Sequence, residues 1–264
     1  MLQNLKHVFE IIKTTAKLDI QPKFRKLKDF EITTKTSGEI VTTVDISAEK
    51  RLTSELLRLV PGSVVVGEES VSENPLILKK LKEDRPIWII DPLDGTRNFA
   101  KGKECYAIIV AYYHAGATLA GWIYDPVKDI MLSASKGEGA RVNDRVVSIP
   151  ITPKIKYMSG SASQYNSNRL KNSQKNNSIP QHMLRYGCVG KEYIDLILGI
   201  LHFAEYGSLK PWDHAAGVLI HKESGGFSGF IPDGVAYKPT SIIKNKFLLS
   251  ANESDWKSLS YLFE

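Results

Sequence analysis

At 264 residues, with 42% hydrophobic and 24% charged side chains, the chain has the make-up of an ordinary globular protein with enough apolar material for a sizeable core. That balance, with no apolar run long enough to cross a bilayer, argues against a disordered chain or one built on membrane-spanning helices. The formal net charge of +6 is spread over many short basic stretches, so it fits a solvated surface and favours anionic partners, small phosphate esters as readily as nucleic acid.

The N-terminus, MLQNLKHVFEIIKTTAKLD, lacks the basic, apolar and small-residue order of a signal peptide. Leu5, Phe9, Ile12 and Ala16 follow helical spacing instead and predict an amphipathic first helix. Residues 43–60 predict a second helix with Ala48, Leu52, Leu56 and Leu59 on one face. SVVVG is a short β-branched strand running into Glu68 and Glu69, and PIWII is another that ends at Asp91. CYAIIVAYY, ATLAGWIYDP and DIMLSASKG follow with turn residues between them and no helix, which predicts antiparallel pairing. Near residue 150 the character changes: residues 161–180 are rich in Asn, Ser and Lys and read as a surface segment. Beyond it YIDLILGIL, WDHAAGVLIHKE and FLLSA alternate helix and strand, so the fold class is α+β in two halves, 1–150 and 151–264. Cys105 and Cys188 stand in apolar sequence with no CxxC pair, as expected of a reduced, cytoplasmic protein.

Acidic residues gather where strands are predicted to end: Glu68 and Glu69, then Asp91 and Asp94, then Asp213 at the start of an apolar helix. Singly, each has a plain explanation, since an Asp before a helix commonly caps it (Asp213, in part Asp94, and also Asp45) and a Glu-Glu pair is commonly solvated. Brought together, such carboxylates repel one another and resist ionising unless cations lie between them. An oxygen-only donor set, with no zinc-like His/Cys cluster, suits magnesium. Between the acids, Pro92 stiffens the chain and Gly95 lets backbone approach a ligand. The Gly95 and Thr96 amides would open a helix whose N-terminus can receive phosphate. Metal ligands beside an anion-binding helix end imply metal-assisted phosphoryl chemistry.

GEE at 67–69, WIIDPLDGTRNF at 88–99 and PWDHAAGVLIHKESGG at 211–226, with YDP near 124 and KGEGA at 136–140, resemble the signature regions of the inositol monophosphatase family across almost the whole chain. The resemblance implies a layered αβαβα sandwich, two sheets with helices between and outside, and magnesium-dependent, lithium-sensitive hydrolysis of small phosphate monoesters by a homodimer. It implies two to three Mg²⁺: Glu68, Asp91 and the Leu93 carbonyl at the first, Asp91, Asp94 and Asp213 at the second, and Glu68 anchoring a weaker third. Thr96 paired with Asp45 matches the family's water-activating pair, with Glu68 assisting. Asp94, Gly95, Thr96 and Glu205 would contact substrate. Lys35 corresponds to a loop lysine near the metals, with a plain surface lysine as the alternative, and Glu69 lies beside the metal ligands.

Substrate choice is where the chain departs from the inositol-specific pattern. It has one extra residue between Gly207 and Asp213, Arg97 in place of a small polar residue, and a less polar lining segment at Gly187, Cys188 and Val189. LKPWD is similar to bacterial members of broader specificity, so histidinol phosphate, a 3′-phosphonucleotide or a sugar bisphosphate stands beside an inositol phosphate as substrate. A cysteine phosphatase is excluded because Ala111 and Ile194, not Arg, stand six residues after the cysteines. An aspartyl-phosphate enzyme is excluded because the spacing is Asp-x-x-Asp. His114, His182, His214 and His221 are scattered and read as surface or satisfied core residues. A different class stays open: some bacterial relatives act as binding proteins in transcription, and the basic stretch from Arg169 to Lys175 would permit contact with RNA or RNA polymerase, although no nucleic-acid motif supports it.

Overall fold

The computed structural model describes residues 2–172 and 179–264. Helix α1 (Leu2–Thr15) leads to a two-stranded hairpin of β1 (Ile32–Thr34) and β2 (Ile40–Thr42), then to α2 (Thr43–Leu59). Next come β3 (Val64–Gly67), α3 (Glu68–Glu73), β4 (Ile87–Asp94) and the short α4 (Thr96–Ala100). A meander follows of β5 (Ala107–His114), β6 (Ala117–Asp125), β7 (Ile130–Ser135), β8 (Ala140–Val142) and β9 (Arg145–Val147). The rest is β10 (Ser159–Ser161), α5 (Gln164–Asn172), β11 (His182–Leu184), α6 (Val189–Ile197), β12 (Phe203–Tyr206), α7 (Pro211–Glu223), β13 (Phe227–Phe230), β14 (Phe247–Ser250) and α8 (Glu253–Phe263).

Strands β3 to β9 form a seven-stranded sheet in sequence order, antiparallel as expected except that β3 and β4 run parallel. A five-stranded mixed sheet has the order β11-β10-β12-β14-β13. Strand β4 shows why the predicted strands read as unbroken apolar runs. Successive side chains point to opposite faces, and both faces are covered. Trp88 and Ile90 join Val8, Ile12, Leu52 and Leu56 of α1 and α2 in one core. Ile87 and Ile89 join a second core with Tyr193, Ile197, Ala216 and Ile220 of α6 and α7, and with Ala204 and Leu249 of the five-stranded sheet. A third core places Leu170 of α5 and Trp256, Leu259 and Phe263 of α8 against Phe203 and Leu248. Helix, sheet, helix, sheet, helix is therefore the layer order, the αβαβα sandwich that the resemblance implies.

Part of residues 161–180 is not the irregular surface segment expected from its composition. Residues 164–172 are helical, with Asn166, Ser167 and Leu170 buried, because the outer face of the five-stranded sheet offers α5 an apolar seat. Arg169 Nη2 hydrogen-bonds the Leu262 carbonyl of α8 instead of standing free in solvent. Residues 173–178, including Lys175 of the basic stretch, lie outside the described residues. Among the described residues no helix is long and apolar enough to cross a membrane.

Candidate active site

The two acids of β4 come together through an irregularity in the sheet. Asp91 pairs with Ile109 and Asp94 with Ala107, so three steps along β4 match two along β5. Residues three apart on a regular strand face opposite ways; the extra residue cancels that alternation. Gly95 then turns the chain with φ +88°, a conformation that costs glycine nothing sterically, and α4 begins at Thr96. Asp91 is held by the Leu93 amide, which donates to Asp91 Oδ1 at 3.0 Å.

Two other elements converge on this rim. Glu68 opens α3 just beyond β3, which runs beside β4, and Asp213 sits in the first turn of α7. One carboxylate oxygen from each of Glu68, Asp91 and Asp213 lies within 4.8 Å of the others. Asp213 is the third residue of its helix and Lys210 occupies the N-cap position, so the capping explanation for Asp213 fails. Asp94 is not the cap of α4 either: Gly95 is. Asp94 stands beside the cluster with Oδ2 receiving the Gly190 amide at 2.5 Å and the Cys188 thiol at 3.1 Å. Cys188 belongs to the apolar core, as expected, and in addition touches a carboxylate. The reason is that the first turn of α6 is aimed at Asp94.

Asp45 serves two purposes. Thr42 is the N-cap of α2 and Asp45 its third residue, whose Oδ2 accepts from the Thr42 amide at 2.8 Å and hydroxyl at 2.6 Å. The simple N-cap assignment for Asp45 is thus replaced by a reciprocal capping box. Its other oxygen, Oδ1, lies 2.8 Å from Thr96 Oγ1, which is also 2.9 Å from the Leu93 carbonyl. The single Thr96 proton is held between two acceptors.

The electrostatics follow from crowding acids in a buried space. Burial first, then the charges of Glu68, Asp94 and Asp213, push Asp91 well above the ordinary carboxylate range. Burial and Glu68 do the same to Asp213, against the opposing pull of Lys210. Asp94 is raised by burial despite its bond from Gly190. Burial lifts Asp45 to about 6, partly offset by the bonds from Thr42 and Thr96. Glu69 rises to about 8, burial outweighing its bond from Lys35. The positive side is thin. Lys35 Nζ lies 2.8 Å from Glu69 and 3.3 Å from Glu68, and Lys210 Nζ lies 2.5 Å from Glu39 and 3.8 Å from Glu68. Burial works to lower both lysines, but the surrounding carboxylates outweigh it and their pKa values rise. Lys35 is thus a buried partner of the acids, and the surface-lysine alternative is overturned.

This donor set fits a hard divalent cation: its ligand atoms are all oxygens, they crowd together, and burial denies them the water that would otherwise screen their repulsion. Of the remaining expected residues, Glu205 is buried on β12 and accepts the Ser163 amide at 3.1 Å, while Arg97 is exposed on α4. Val189 begins α6, and Gly187 precedes it with φ +63°. Sequence reasoning missed Lys210, Glu39, Glu49 and Asn98. Asn98 Nδ2 lies 3.1 Å from Cys105 O, 2.9 Å from Tyr186 O and 3.2 Å from Gly187 O, which ties α4 to the segment leading into α6. Lys210 was visible as the residue before Pro-Trp-Asp; the others carry no local signal.

Comparison with known proteins agrees with this arrangement. The chain is 30% identical over 234 residues to a fructose-1,6-bisphosphatase/inositol-1-monophosphatase of Aquifex aeolicus, covering 85% of this chain and 86% of that one. It is 33% identical over 217 residues to the Nus factor SuhB of Vibrio cholerae, covering 78% of each. In structure it is similar to the Thermotoga maritima IMPase, with a TM-score of 0.84 at 22% identity over 99% of this chain and 97% of that one. The sequence profile of the inositol monophosphatase family matches residues 1–252. The chain therefore belongs to the inositol monophosphatase family, a family of phosphatases.

Proposed function

We propose that the protein hydrolyses small phosphate monoesters with Mg²⁺ as its cation. The observation that carries this reading is the approach of Glu68, Asp91 and Asp213 within 4.8 Å, from three separate stretches of chain. Glu68, Asp91 and the Leu93 carbonyl would hold one ion, Asp91, Asp94 and Asp213 a second, and Glu68 a weaker third. Bound there, the cations would offset the charge on the phosphate and make a neighbouring water more acidic. Residues 1–150 supply most of these ligands, and residues 151–264 supply Asp213 and the lining segment around Gly187, Cys188 and Val189.

The chain's own groups then have distinct tasks. The Gly95 and Thr96 amides begin a helix, where no preceding turn supplies acceptors, and receive phosphate oxygens. Thr96 Oγ1 presents a lone pair to the attacking water and takes its proton as its own proton passes to Asp45. Burial lifts Asp45 to about 6, which makes its carboxylate a better proton acceptor than an exposed aspartate. Glu68 helps orient that water, which attacks phosphorus opposite the leaving oxygen. Glu205 contacts the alcohol portion of the substrate, and Arg97 adds positive charge at the mouth.

An inositol phosphate is the leading substrate class, supported by the family and by relatives named inositol-1-monophosphatase in Mesorhizobium japonicum and Bacillus subtilis. The test is phosphate release from inositol 1-phosphate, histidinol phosphate, fructose 1,6-bisphosphate and a 3′-phosphonucleotide, with and without Mg²⁺. Release from at least one of them that needs Mg²⁺ and disappears in Asp91→Asn supports the reading; metal-independent release, or none from any of the four, contradicts it. Lithium inhibition belongs to the same reading, since a similar staphylococcal inositol monophosphatase-1 has been solved as a LiCl-soaked inhibitory complex. So do a homodimeric state and a cytoplasmic location, which rest on family likeness and on the unpaired cysteines. A second reading, a binding role in transcription, is favoured by relatives named Nus factors. Under it, Asp91→Asn leaves any binding to RNA or RNA polymerase intact.

A further inference from the structure

Helix α2 carries a second buried acid one turn beyond Asp45. Glu49 is 5% exposed and shares the inward face with Ala48 and Leu52. A carboxylate removed from water is costly unless its oxygens are bonded, and no ion pair reaches Glu49 among the described residues. Its partners are instead the first turn of α3. Oε2 accepts the Glu69 amide at 2.8 Å, and Oε1 accepts the Ser70 amide at 2.9 Å and the Ser70 hydroxyl.

Those amides are the ones a helix start leaves without acceptors, and the residue in the N-cap position, Gly67, has no side chain to satisfy them. The cap arrives from another helix. A Cβ at position 67 would lie 2.4 Å from Glu49 Cδ, inside its contact radius, while the backbone there (φ −104°, ψ 153°) suits any residue. A side chain at 67 would therefore displace the Glu49 carboxylate, with no backbone strain of its own. Glu68 lies between Gly67 and the two captured amides, so the backbone that carries it is bounded by bonds to Glu49, while its carboxylate faces Lys35 and Lys210.

We propose that Glu49 is a positioning residue for the cation site, clamping the first turn of α3 through the Glu69 and Ser70 amides so that Glu68 meets Asp91 and Asp213. This rests on the reading of Glu68 as a cation ligand. Removing the clamp orphans two buried donors and frees the Glu68 backbone; groups that orient ligands in this way typically govern affinity by about 10–100-fold.

The test is calorimetric titration of Mg²⁺ into wild type, Glu49→Gln, Glu49→Ala, Gly67→Ala and the Gly67→Ala/Glu49→Ala pair, with each melting temperature recorded. Glu49→Ala is expected to weaken Mg²⁺ binding by at least about tenfold. The Mg²⁺ needed for half-maximal phosphate release should rise in step, with the rate at saturating Mg²⁺ little changed. Glu49→Gln, which keeps one acceptor oxygen but turns an N–H donor toward the other amide, weakens binding less than Glu49→Ala. Gly67→Ala displaces the carboxylate and weakens binding in the wild-type background, but adds little once Glu49 is Ala. If Glu49→Ala does not fold, Glu49→Gln and Gly67→Ala decide the matter. Unchanged Mg²⁺ affinity in Glu49→Ala with a lowered melting temperature, or equal damage from Gly67→Ala in both backgrounds, overturns the positioning role alone. Wild type that binds no Mg²⁺ overturns the cation reading, and this one with it.

Discussion

Helix α7 buries two kinds of titratable group along one length. In its first turn Asp213 stands among like charges; His214, the next residue, and His221, two turns further on, are 1% and 0% exposed and are held neutral at ordinary pH by burial. The acid keeps its charge only if a cation arrives from outside, whereas the histidines avoid the problem by giving up their protons. Burial thus has opposite consequences for two kinds of group on one helix. At the acid it prepares a binding site, and at the histidines it makes the fold sensitive to low pH.

The largest expected effect comes from the acids. Asp91→Asn should lower phosphate release on the order of 10³-fold, by analogy with loss of one electrostatic contact in other active sites. The same change removes an acid that burial and its neighbours make costly to ionise, so the melting temperature measured without Mg²⁺ should rise; a fall would contradict the electrostatic account. Mg²⁺ itself should stabilise wild type by about 2.7 kcal/mol at a hundred times its dissociation constant, and Asp91→Asn should lose most of that gain in a thermal melt.

The histidines give smaller, pH-dependent effects. Burial, joined at His214 by the charge of Lys210, lowers both histidines from 6.5 to about 3. The unfolded chain therefore binds protons that the folded one refuses, so their contribution to stability is complete above 6.5 and is lost as pH falls toward 3. The slope is about 1.4 kcal/mol per pH unit for each histidine. Denaturant melts between pH 7.5 and 5 should show the decline, and replacing either histidine by leucine should flatten it.

Those replacements also differ from each other at neutral pH. His214 Nδ1 lies 3.1 Å from the Tyr193 hydroxyl, whereas neither ring nitrogen of His221 has a hydrogen-bond partner among the described residues. His214→Leu should cost about 1–3 kcal/mol by orphaning Tyr193, and His221→Leu should cost less or stabilise. Equal losses would contradict the distinction. The sequence reading of His221 as a satisfied core histidine is corrected by the same observation: the ring is enclosed by close packing, with Gly226 against it.

Much of this was legible before any coordinates. The apolar face of α2 and the unbroken run Ile87–Ile90 announced their burial through spacing alone, because periodicity is a local property. The acids at 68, 91, 94 and 213 were legible as a group because their chemistry makes sense only together. What escaped was whatever depends on a distant partner. Glu49 reads as one more helix acid until Gly67 and Ser70 are seen against it. Lys210 and Glu39 meet across 171 positions of sequence. Helix α5 was hidden by its polar composition because its seat, the outer face of β12 and β14, is built from residues that come later in the chain.

The central claim is that Glu68, Asp91 and Asp213 form one cation site. Crystals of the wild-type protein soaked in Mn²⁺, a Mg²⁺ substitute with strong anomalous scattering, test it most directly. The account predicts an anomalous peak bounded by those carboxylates and the Leu93 carbonyl, absent in Asp91→Asn. Peaks confined to other parts of the surface, or a peak at the site that persists in Asp91→Asn, would contradict it.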